Sequence, residues 1–196
     1  MDDLDTFLSH NTSRDESLEK KIKYQTIEQS ELTEQQKYAI EMSLFWWDKS
    51  PRQVLKIGGY AGTGKTTILK HILNLIPAKN PIVGAYTGKA VSVLRNKDVV
   101  NSETIHSLIY KLEGEDASGR PIFSKVKTFP HDLVIIDEAS MVTGYIDADL
   151  RSYGSKILYV GDPGQLEPIE NDIKIMSEPL SIVHAERSRT TSHLQA

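Results

Sequence analysis

Residues 54–67 read VLKIGGYAGTGKTT, an apolar run that stops at a glycine-rich loop. Apolar residues then recur at helical spacing between Ile68 and Ile76. Within the loop, the glycines, lysine and threonine follow the spacing G-x-x-x-x-G-K-[ST] at Gly59, Gly64, Lys65 and Thr66. A strand, a glycine loop and an amphipathic helix in this order predict a phosphate-binding loop rather than a plain turn before a helix.

The chemistry of such a loop follows from its backbone. Glycines let successive N–H groups point at one anion, and the next helix adds the partial positive charge of its N-terminus. Lys65 would reach the β- and γ-phosphates of a nucleotide, and the Thr66 hydroxyl would ligate Mg²⁺. The residues predicted to bind the nucleotide here are Gly59, Ala61, Gly62, Thr63, Gly64, Lys65, Thr66 and Thr67.

A second apolar run, residues 133–136, ends in the adjacent carboxylates Asp137 and Glu138. An uninterrupted apolar run is typical of a parallel strand that is buried on both faces. Asp137 could complete the Mg²⁺ shell opposite Thr66, and Glu138 could take a proton from the water that attacks the γ-phosphate. An acidic pair after a strand is also common as a solvated loop. The phosphate loop elsewhere in the chain favours the catalytic interpretation.

Further buried strands are predicted over residues 82–86, 156–160 and 181–185. Strands that alternate with helical patterns predict an α/β fold with a mainly parallel sheet flanked by helices. Ligands bind such sheets at the carboxyl ends of their strands. Polar residues follow the predicted strands there, at Thr87, Lys89, Gln165 and Arg187.

The sequence alone leaves alternatives open for these edge residues. Thr87 and Lys89 could cap a helix and be solvated, or could contact a phosphodiester backbone. Gln165 could sense the γ-phosphate or orient water. Arg187 is a candidate cation for charge that develops on the γ-phosphate, although a surface arginine is the simpler interpretation.

Gln36 and His106 also have two interpretations each. Thr33 and Gln36 form a capping box at a predicted helix start, but the Gln36 amide could instead present a donor and an acceptor to adenine. A helix start is predicted at Ser102–Thr104, with one of these hydroxyls as the cap. His106 beyond it is either a structural histidine or a nucleic-acid contact.

The length and composition of the chain limit the class of protein and its location. It has 196 residues, a net charge of −4 and no cysteine, which fits one domain in a reducing cytoplasm. Residues 1–30 are predicted to be a mobile acidic arm, without a signal peptide. No stretch is apolar enough to cross a membrane, so we expect a soluble protein with no membrane partner. Residues 111–128 predict a small inserted β-hairpin.

The combination of motifs resembles superfamily 1 DNA helicases, most closely the RecD/Dda group, over about residues 31–190. The motifs occur in that family's order: Leu-Thr-x-x-Gln (Leu32–Gln36), Gly-Thr-Gly-Lys-Thr, Tyr-Thr-Gly-Lys-Ala, Thr-Ile-His-Ser, Ile-Asp-Glu-Ala-Ser-Met (Ile136–Met141) and Gly-Asp-Pro-Gly-Gln-Leu-x-Pro (Gly161–Pro168). The resemblance implies a RecA-like P-loop NTPase domain that uses ATP and Mg²⁺ to move 5′ to 3′ along single-stranded DNA.

The resemblance also assigns roles to single residues. It implies that Gln36 contacts adenine and that Gln165 couples the γ-phosphate to DNA. The arginine after the last strand would contact the γ-phosphate, with Arg187 as the match and Arg189 as its rival. The residues implied to line the DNA groove are Thr87, Lys89, Thr104 and His106. The hairpin at 111–128 matches a strand-separating pin, and Phe123 is expected near its tip.

The family pattern has two RecA-like domains with ATP bound between them. We expect residues 191–196 to begin a second motor domain, supplied in cis or in trans, without which the chain would bind and hydrolyse nucleotide weakly. The alternative is an accessory module of helicase ancestry that binds DNA or a partner. The intact set of Lys65, Thr66, Asp137, Glu138 and Gln165 argues against that alternative.

Overall fold

The computed structural model describes residues 31–162. The predicted acidic arm, the predicted strand at 181–185, Gln165, Arg187 and the start of a second domain lie outside the described residues. No helix in the described part of the chain is long and apolar enough to cross a membrane.

The described residues alternate strands with helices. The helices are α1 (Glu34–Lys49), α2 (Lys65–Leu75), α3 (Gly88–Asn96), α4 (Ile105–Ile109) and α5 (Gly144–Arg151), with a 3₁₀ turn at Ala139–Met141. The strands are β1 (Val54–Gly58), β2 (Ile82–Ala85), β3 (Ser102–Thr104), β4 (Tyr110–Glu115), β5 (Pro121–Lys125), β6 (Leu133–Ile136) and β7 (Lys156–Gly161).

Five strands form one parallel sheet in the order β1-β7-β6-β2-β3. This confirms the predicted α/β class. The order places β7 between β1 and β6, so the strands that precede the phosphate loop and the acidic pair are separated by one strand. The edge strand β3 was not predicted, because Ser102–Thr104 is polar and only three residues long.

Alternate residues of the sheet enter two apolar cores, as the period of a strand requires. Leu55, Ile135 and Leu158 pack with α1, α2 and α3 on one face. Val134 and Ile157 pack with α4 and α5 on the other face. Both faces are therefore covered, which explains why these strands are continuous apolar runs.

The short segment before α4 decides between the two hydroxyl caps that the sequence left open. The helix begins at Ile105, and the Thr104 side chain caps it by accepting the Ser107 N–H. Ser102 lies in β3 and does not cap; its hydroxyl donates to the Val99 carbonyl. Pairing with β2 overrides the local helix signal at this position.

The predicted hairpin is present. Strands β4 and β5 pair antiparallel, with a register shift between Leu112 and Gly114. The expectation that Phe123 lies near the tip is wrong: Phe123 pairs with Leu112 in the middle of the ladder. Asp116 forms the turn instead, because its carboxylate accepts the backbone N–H groups of Ser118 and Arg120.

Candidate nucleotide site

The loop between β1 and α2 has the backbone that a phosphate cradle needs. Gly62 and Gly64 have φ angles of 80° and 81°, which L side chains rarely adopt. At Gly64 an added Cβ would also lie 2.4 Å from the Gln36 Nε2 atom, so a side chain there would displace the Gln36 amide. The Gly59 N–H donates to the Gly161 carbonyl at 3.0 Å, which fixes the start of the loop on β7.

Lys65 lies at the start of α2 with its ammonium folded over the loop. Its Nζ atom donates to the Gly59 carbonyl at 2.7 Å and to the Tyr60 carbonyl at 3.0 Å. An ammonium has three N–H donors, so these two bonds leave one for an anion in the loop. The backbone N–H groups at the start of the helix point toward the same place.

Gln36 serves both α1 and the phosphate loop. Its Oε1 atom accepts the Thr33 N–H at 3.0 Å, and the Thr33 hydroxyl accepts the Gln36 N–H at 3.3 Å, which completes the predicted capping box. Its Nε2 atom donates to the Thr63 carbonyl at 2.9 Å. Sequence spacing could not reveal this second bond, because the two residues are 27 positions apart. An amide retains one N–H and one oxygen lone pair after these contacts, so adenine recognition remains chemically compatible with both.

Replacing Gln36 should therefore have two effects. We expect Gln36→Ala to lower the free energy of unfolding by about 1 kcal/mol, since it breaks the capping box, and to weaken nucleotide binding by releasing Thr63. Thermal unfolding with and without nucleotide measures both effects. Gln35→Ala is the matched control, because Gln35 is an exposed neighbour in the same helical turn. Equal nucleotide affinity in the two variants would contradict the link to the loop.

The acidic pair lies where β6 ends. The Asp137 N–H donates to the Gly84 carbonyl at 2.9 Å, so the first carboxylate is fixed to the neighbouring strand. Burial raises the pKa of Asp137, and the Glu138 charge adds to this rise. Its hydrogen bond from the Glu138 N–H and the positive charges of Lys65 and Lys97 act in the opposite direction. The charge of Lys65 therefore acts on Asp137, although the two residues lie on different segments of the chain.

Glu138 has an unusual backbone. Its φ and ψ angles are 56° and 40°, the left-handed region that residues other than glycine seldom adopt. Such a residue costs of order 1–3 kcal/mol and is found mostly at functional sites. The strained turn directs the chain from β6 into the 3₁₀ turn at Ala139–Met141.

Gly161 separates the two halves of the site. Besides accepting the Gly59 N–H, it packs against the acidic turn so closely that an added Cβ would lie 3.3 Å from the Ala139 and Ser140 nitrogens. The sequence indicates a glycine turn here but not this contact, because the contact depends on the order of β1, β7 and β6 in the sheet.

The predicted DNA-groove residues lie on the adjoining part of the same edge, after β2 and β3. The Thr87 hydroxyl caps α3 by accepting the Ala90 N–H at 3.1 Å, while Lys89 is exposed. Thr104 caps α4, as described above. His106 is exposed, and its ring lies 5.8 Å from that of Tyr86 and 5.9 Å from that of Tyr110.

Capping a helix and contacting DNA do not exclude each other, so this arrangement tests only the capping and burial of these residues. Thr87 and Thr104 are caps, and His106 is a surface residue between two tyrosines rather than a core histidine. A cavity of about 320 Å³ opens between α3 and β3, with Arg95, Glu103 and Thr104 among its lining residues. Gln165 and Arg187 fall outside residues 31–162, so their positions relative to the phosphate loop stay predictions.

The chain is similar to a known domain family and to several known proteins. A family model described as an AAA domain matches residues 31–188. The chain is 34% identical over 146 residues to the conjugal transfer protein TraA of Agrobacterium fabrum. That match covers 71% of this chain and 12% of TraA. It is 31% identical over 158 residues to the RecBCD enzyme subunit RecD of Buchnera aphidicola. That match covers 69% of this chain and 25% of RecD.

Among solved structures, the fold is similar to a Bacteroides Pif1 helicase in complex with ADP-AlF3 and ssDNA, at 28% identity and a TM-score of 0.51. That match covers 72% of this chain and 34% of the Pif1 chain. The chain thus spans about a third or less of the length of each of these relatives. It belongs to the AAA domain family, within the RecD- and Pif1-like superfamily 1 group of helicase motor domains.

Proposed function

We propose that this chain is the ATP-hydrolysing, single-stranded-DNA-gripping motor domain of a 5′-to-3′ DNA helicase. The observation that carries the proposal is the convergence of the phosphate loop and the acidic pair on the two sides of Gly161. An NTPase needs a cation for the phosphates and a carboxylate for water in one site, and Lys65 and Glu138 are suited to these roles. The direction of movement rests on the resemblance to the RecD/Dda group alone.

The donor set near the loop fits Mg²⁺. Asp137 offers a carboxylate whose burial disfavours its own charge, and Thr66 offers a hydroxyl at the start of α2. Hard oxygen ligands of this kind suit Mg²⁺, which usually binds through one or two carboxylates together with substrate phosphates.

We assign the steps of ATP hydrolysis to a few residues. Lys65 and the loop N–H groups would bind the β- and γ-phosphates, and Mg²⁺ would offset the charge that develops between them. Glu138 would accept a proton from the attacking water. We assign Gln165 to sensing the γ-phosphate and Arg187 to its transition-state charge, in keeping with the motif order in the sequence. Gln36 would read the adenine edge while it holds Thr63.

The DNA would lie along the edge next to the nucleotide, against Thr87, Lys89, Thr104 and His106. In this proposal, the domain spans residues 31–190, the segment 111–128 is a strand-separating pin, and a second RecA-like domain in cis or in trans completes the cleft. Full activity would require that second domain. We also propose a cytoplasmic location, as the lack of cysteine suggests.

Nucleotide hydrolysis and DNA binding test the proposal together. We expect the chain to bind Mg-ATP, to hydrolyse it below the ~1–10³ s⁻¹ that is typical of enzymes, and to be stimulated by oligothymidylate. Lys89→Ala should weaken oligothymidylate binding several-fold and reduce its salt dependence by about one phosphate contact. Lys79→Ala is the control, because the Lys79 N–H bonds to Asp132 at the opposite end of the sheet.

The outcomes separate two functions. DNA binding without any nucleotide hydrolysis would favour the accessory module over the motor domain. Hydrolysis that DNA does not change, with equal DNA affinities for the Lys89 and Lys79 variants, would contradict the proposed groove.

A further inference from the structure

The hairpin formed by β4 and β5 extends away from the sheet. Leu112 and Phe123, which pair across it, are 56% and 59% exposed. An isolated two-stranded hairpin is only marginally stable in water. The contacts at its base therefore determine where the hairpin points.

One carboxylate at the base contacts both strands. Tyr110 and Lys125 lie directly opposite each other as the pair of the ladder nearest to the sheet. The Tyr110 hydroxyl donates to the Asp149 Oδ2 atom at 2.5 Å, and the Lys125 Nζ atom lies 3.2 Å from the Asp149 Oδ1 atom. Lys125 also donates to the Ser152 hydroxyl at 2.6 Å. Asp149 and Ser152 lie at the end of α5, so both strands are tied to this helix.

A second contact closes the neck of the hairpin. The Tyr153 hydroxyl lies 3.2 Å from the Ile109 carbonyl and 3.1 Å from the Val126 carbonyl, which are the residues just before β4 and just after β5. The Phe129 ring stacks on the Tyr153 ring with centroids 4.2 Å apart. This contact joins the two ends of the hairpin, whereas Asp149 is the side chain that contacts both Tyr110 on β4 and Lys125 on β5.

The helix that carries Asp149 is itself fixed to the sheet. The Tyr159 hydroxyl on β7 donates to the Asp147 Oδ1 atom at 2.6 Å, and Arg151 binds the same carboxylate at 2.8 Å. Only two residues separate helix α5 from the 3₁₀ turn that follows Glu138. The hairpin is thus oriented by the helix that leaves the acidic pair.

We propose that Asp149 is a positioning residue that holds the hairpin in the orientation required to part a DNA duplex at a fork. This inference rests on the proposed helicase function. Asp149 touches neither nucleotide nor DNA and acts through Tyr110 and Lys125.

The electrostatics of Tyr110, Lys125 and Asp149, which we call the clamp, agree with these contacts. Burial, the hydrogen bond to Asp149 and the Asp149 charge raise the pKa of Tyr110 to about 12, with a small addition from Tyr153. The hydrogen bond from Tyr110 and the bond and charge of Lys125 lower the pKa of Asp149, against the effect of burial. A raised tyrosine pKa stabilises the fold below pH 10 and loses this effect as the pH rises toward 12.

Asp149→Ala and Tyr110→Phe test the clamp in the full chain. Each should speed hydrogen exchange of the hairpin amides about tenfold, because a bond to a charged group is lost, and the double variant should add little. Asp149→Ala should also move the Tyr110 titration, followed by ultraviolet absorbance, back toward pH 10. Glu113→Gln is the control, because this carboxylate binds Ser124 within the hairpin and not α5.

DNA-binding assays then distinguish a role of Asp149 in positioning the hairpin from a general loss of structure. We expect wild type to bind a forked DNA more tightly than a single strand, and Asp149→Ala to lose this preference while single-strand affinity and ATP hydrolysis stay within about twofold. Asp149→Glu should restore part of the preference. Unchanged hairpin exchange would overturn the clamp, and faster exchange with an intact fork preference would overturn its role at the fork. If wild type binds no DNA, the proposed function fails, and the positioning role at the fork fails with it, whatever the exchange result.

Discussion

Glu138→Gln is expected to lower kcat for ATP hydrolysis by about 10²–10⁴-fold, the usual contribution of a general base. The amide has the size of the carboxylate but cannot accept a proton from water at neutral pH. The substitution also keeps the left-handed backbone at this position and the Asp137 contact, since that bond comes from the backbone N–H. ATP affinity should therefore change by no more than about twofold, because ground-state contacts are retained.

Steady-state hydrolysis and equilibrium binding of a fluorescent ATP analogue measure the two quantities separately. Glu115→Gln, on the exposed hairpin, should leave both unchanged. A third variant uses the backbone strain: Glu138→Gly should abolish hydrolysis yet lose less stability than Glu138→Ala, because glycine adopts a φ of 56° without a Cβ penalty. Full activity in Glu138→Gln would remove Glu138 from the reaction.

Lys65→Ala is expected to lower kcat/KM for ATP by about 10³-fold, since a positioned cation on the phosphates acts in both binding and the transition state. Unlike Glu138→Gln, it should also raise the Kd for ATP. Lys65 further closes the loop through the Gly59 and Tyr60 carbonyls, so its loss should cost about 1 kcal/mol of stability even without nucleotide.

Isothermal titration with ATP and chemical denaturation without nucleotide test these two consequences. Lys70→Ala is the matched control: Lys70 is on the same helix, but its ammonium pairs with Asp98 on the surface. Exposed ion pairs contribute little, so this variant should resemble wild type. An ATP affinity in Lys65→Ala equal to that of Lys70→Ala would show that the loop does not bind the phosphates as proposed.

Much of the architecture could be predicted because its signals are local. Buried parallel strands are apolar runs, so β1, β2, β6 and β7 were found within a residue or two of their observed bounds. Helix caps can be predicted because they depend on residues three positions apart, as in the capping box of Thr33 and Gln36. The hairpin was recognisable by the polar turn between two short strands, whereas the polar strand β3 was not, because only pairing with β2 makes it a strand.

The contacts that join distant segments could not be predicted in this way. Nothing near Gln36 in the sequence indicates Thr63, and nothing near Asp149 indicates Tyr110 and Lys125. The position of Phe123 was wrong because Phe123 pairs with Leu112 within the ladder, while the turn lies at Asp116.

The sequence by itself determined the chemistry of the site: a glycine loop with Lys65 and Thr66, an acidic pair after a strand, and polar residues at strand ends. Residue type and short spacing carry that information, because dihedral freedom, charge and caps are local properties. The tertiary structure alone decided the geometry. The strand order puts Gly161 between the phosphate loop and Glu138, and packing of α5 puts one carboxylate at the base of the hairpin. Contacts of this kind depend on how the whole chain fills its two cores, and no short stretch of sequence encodes them.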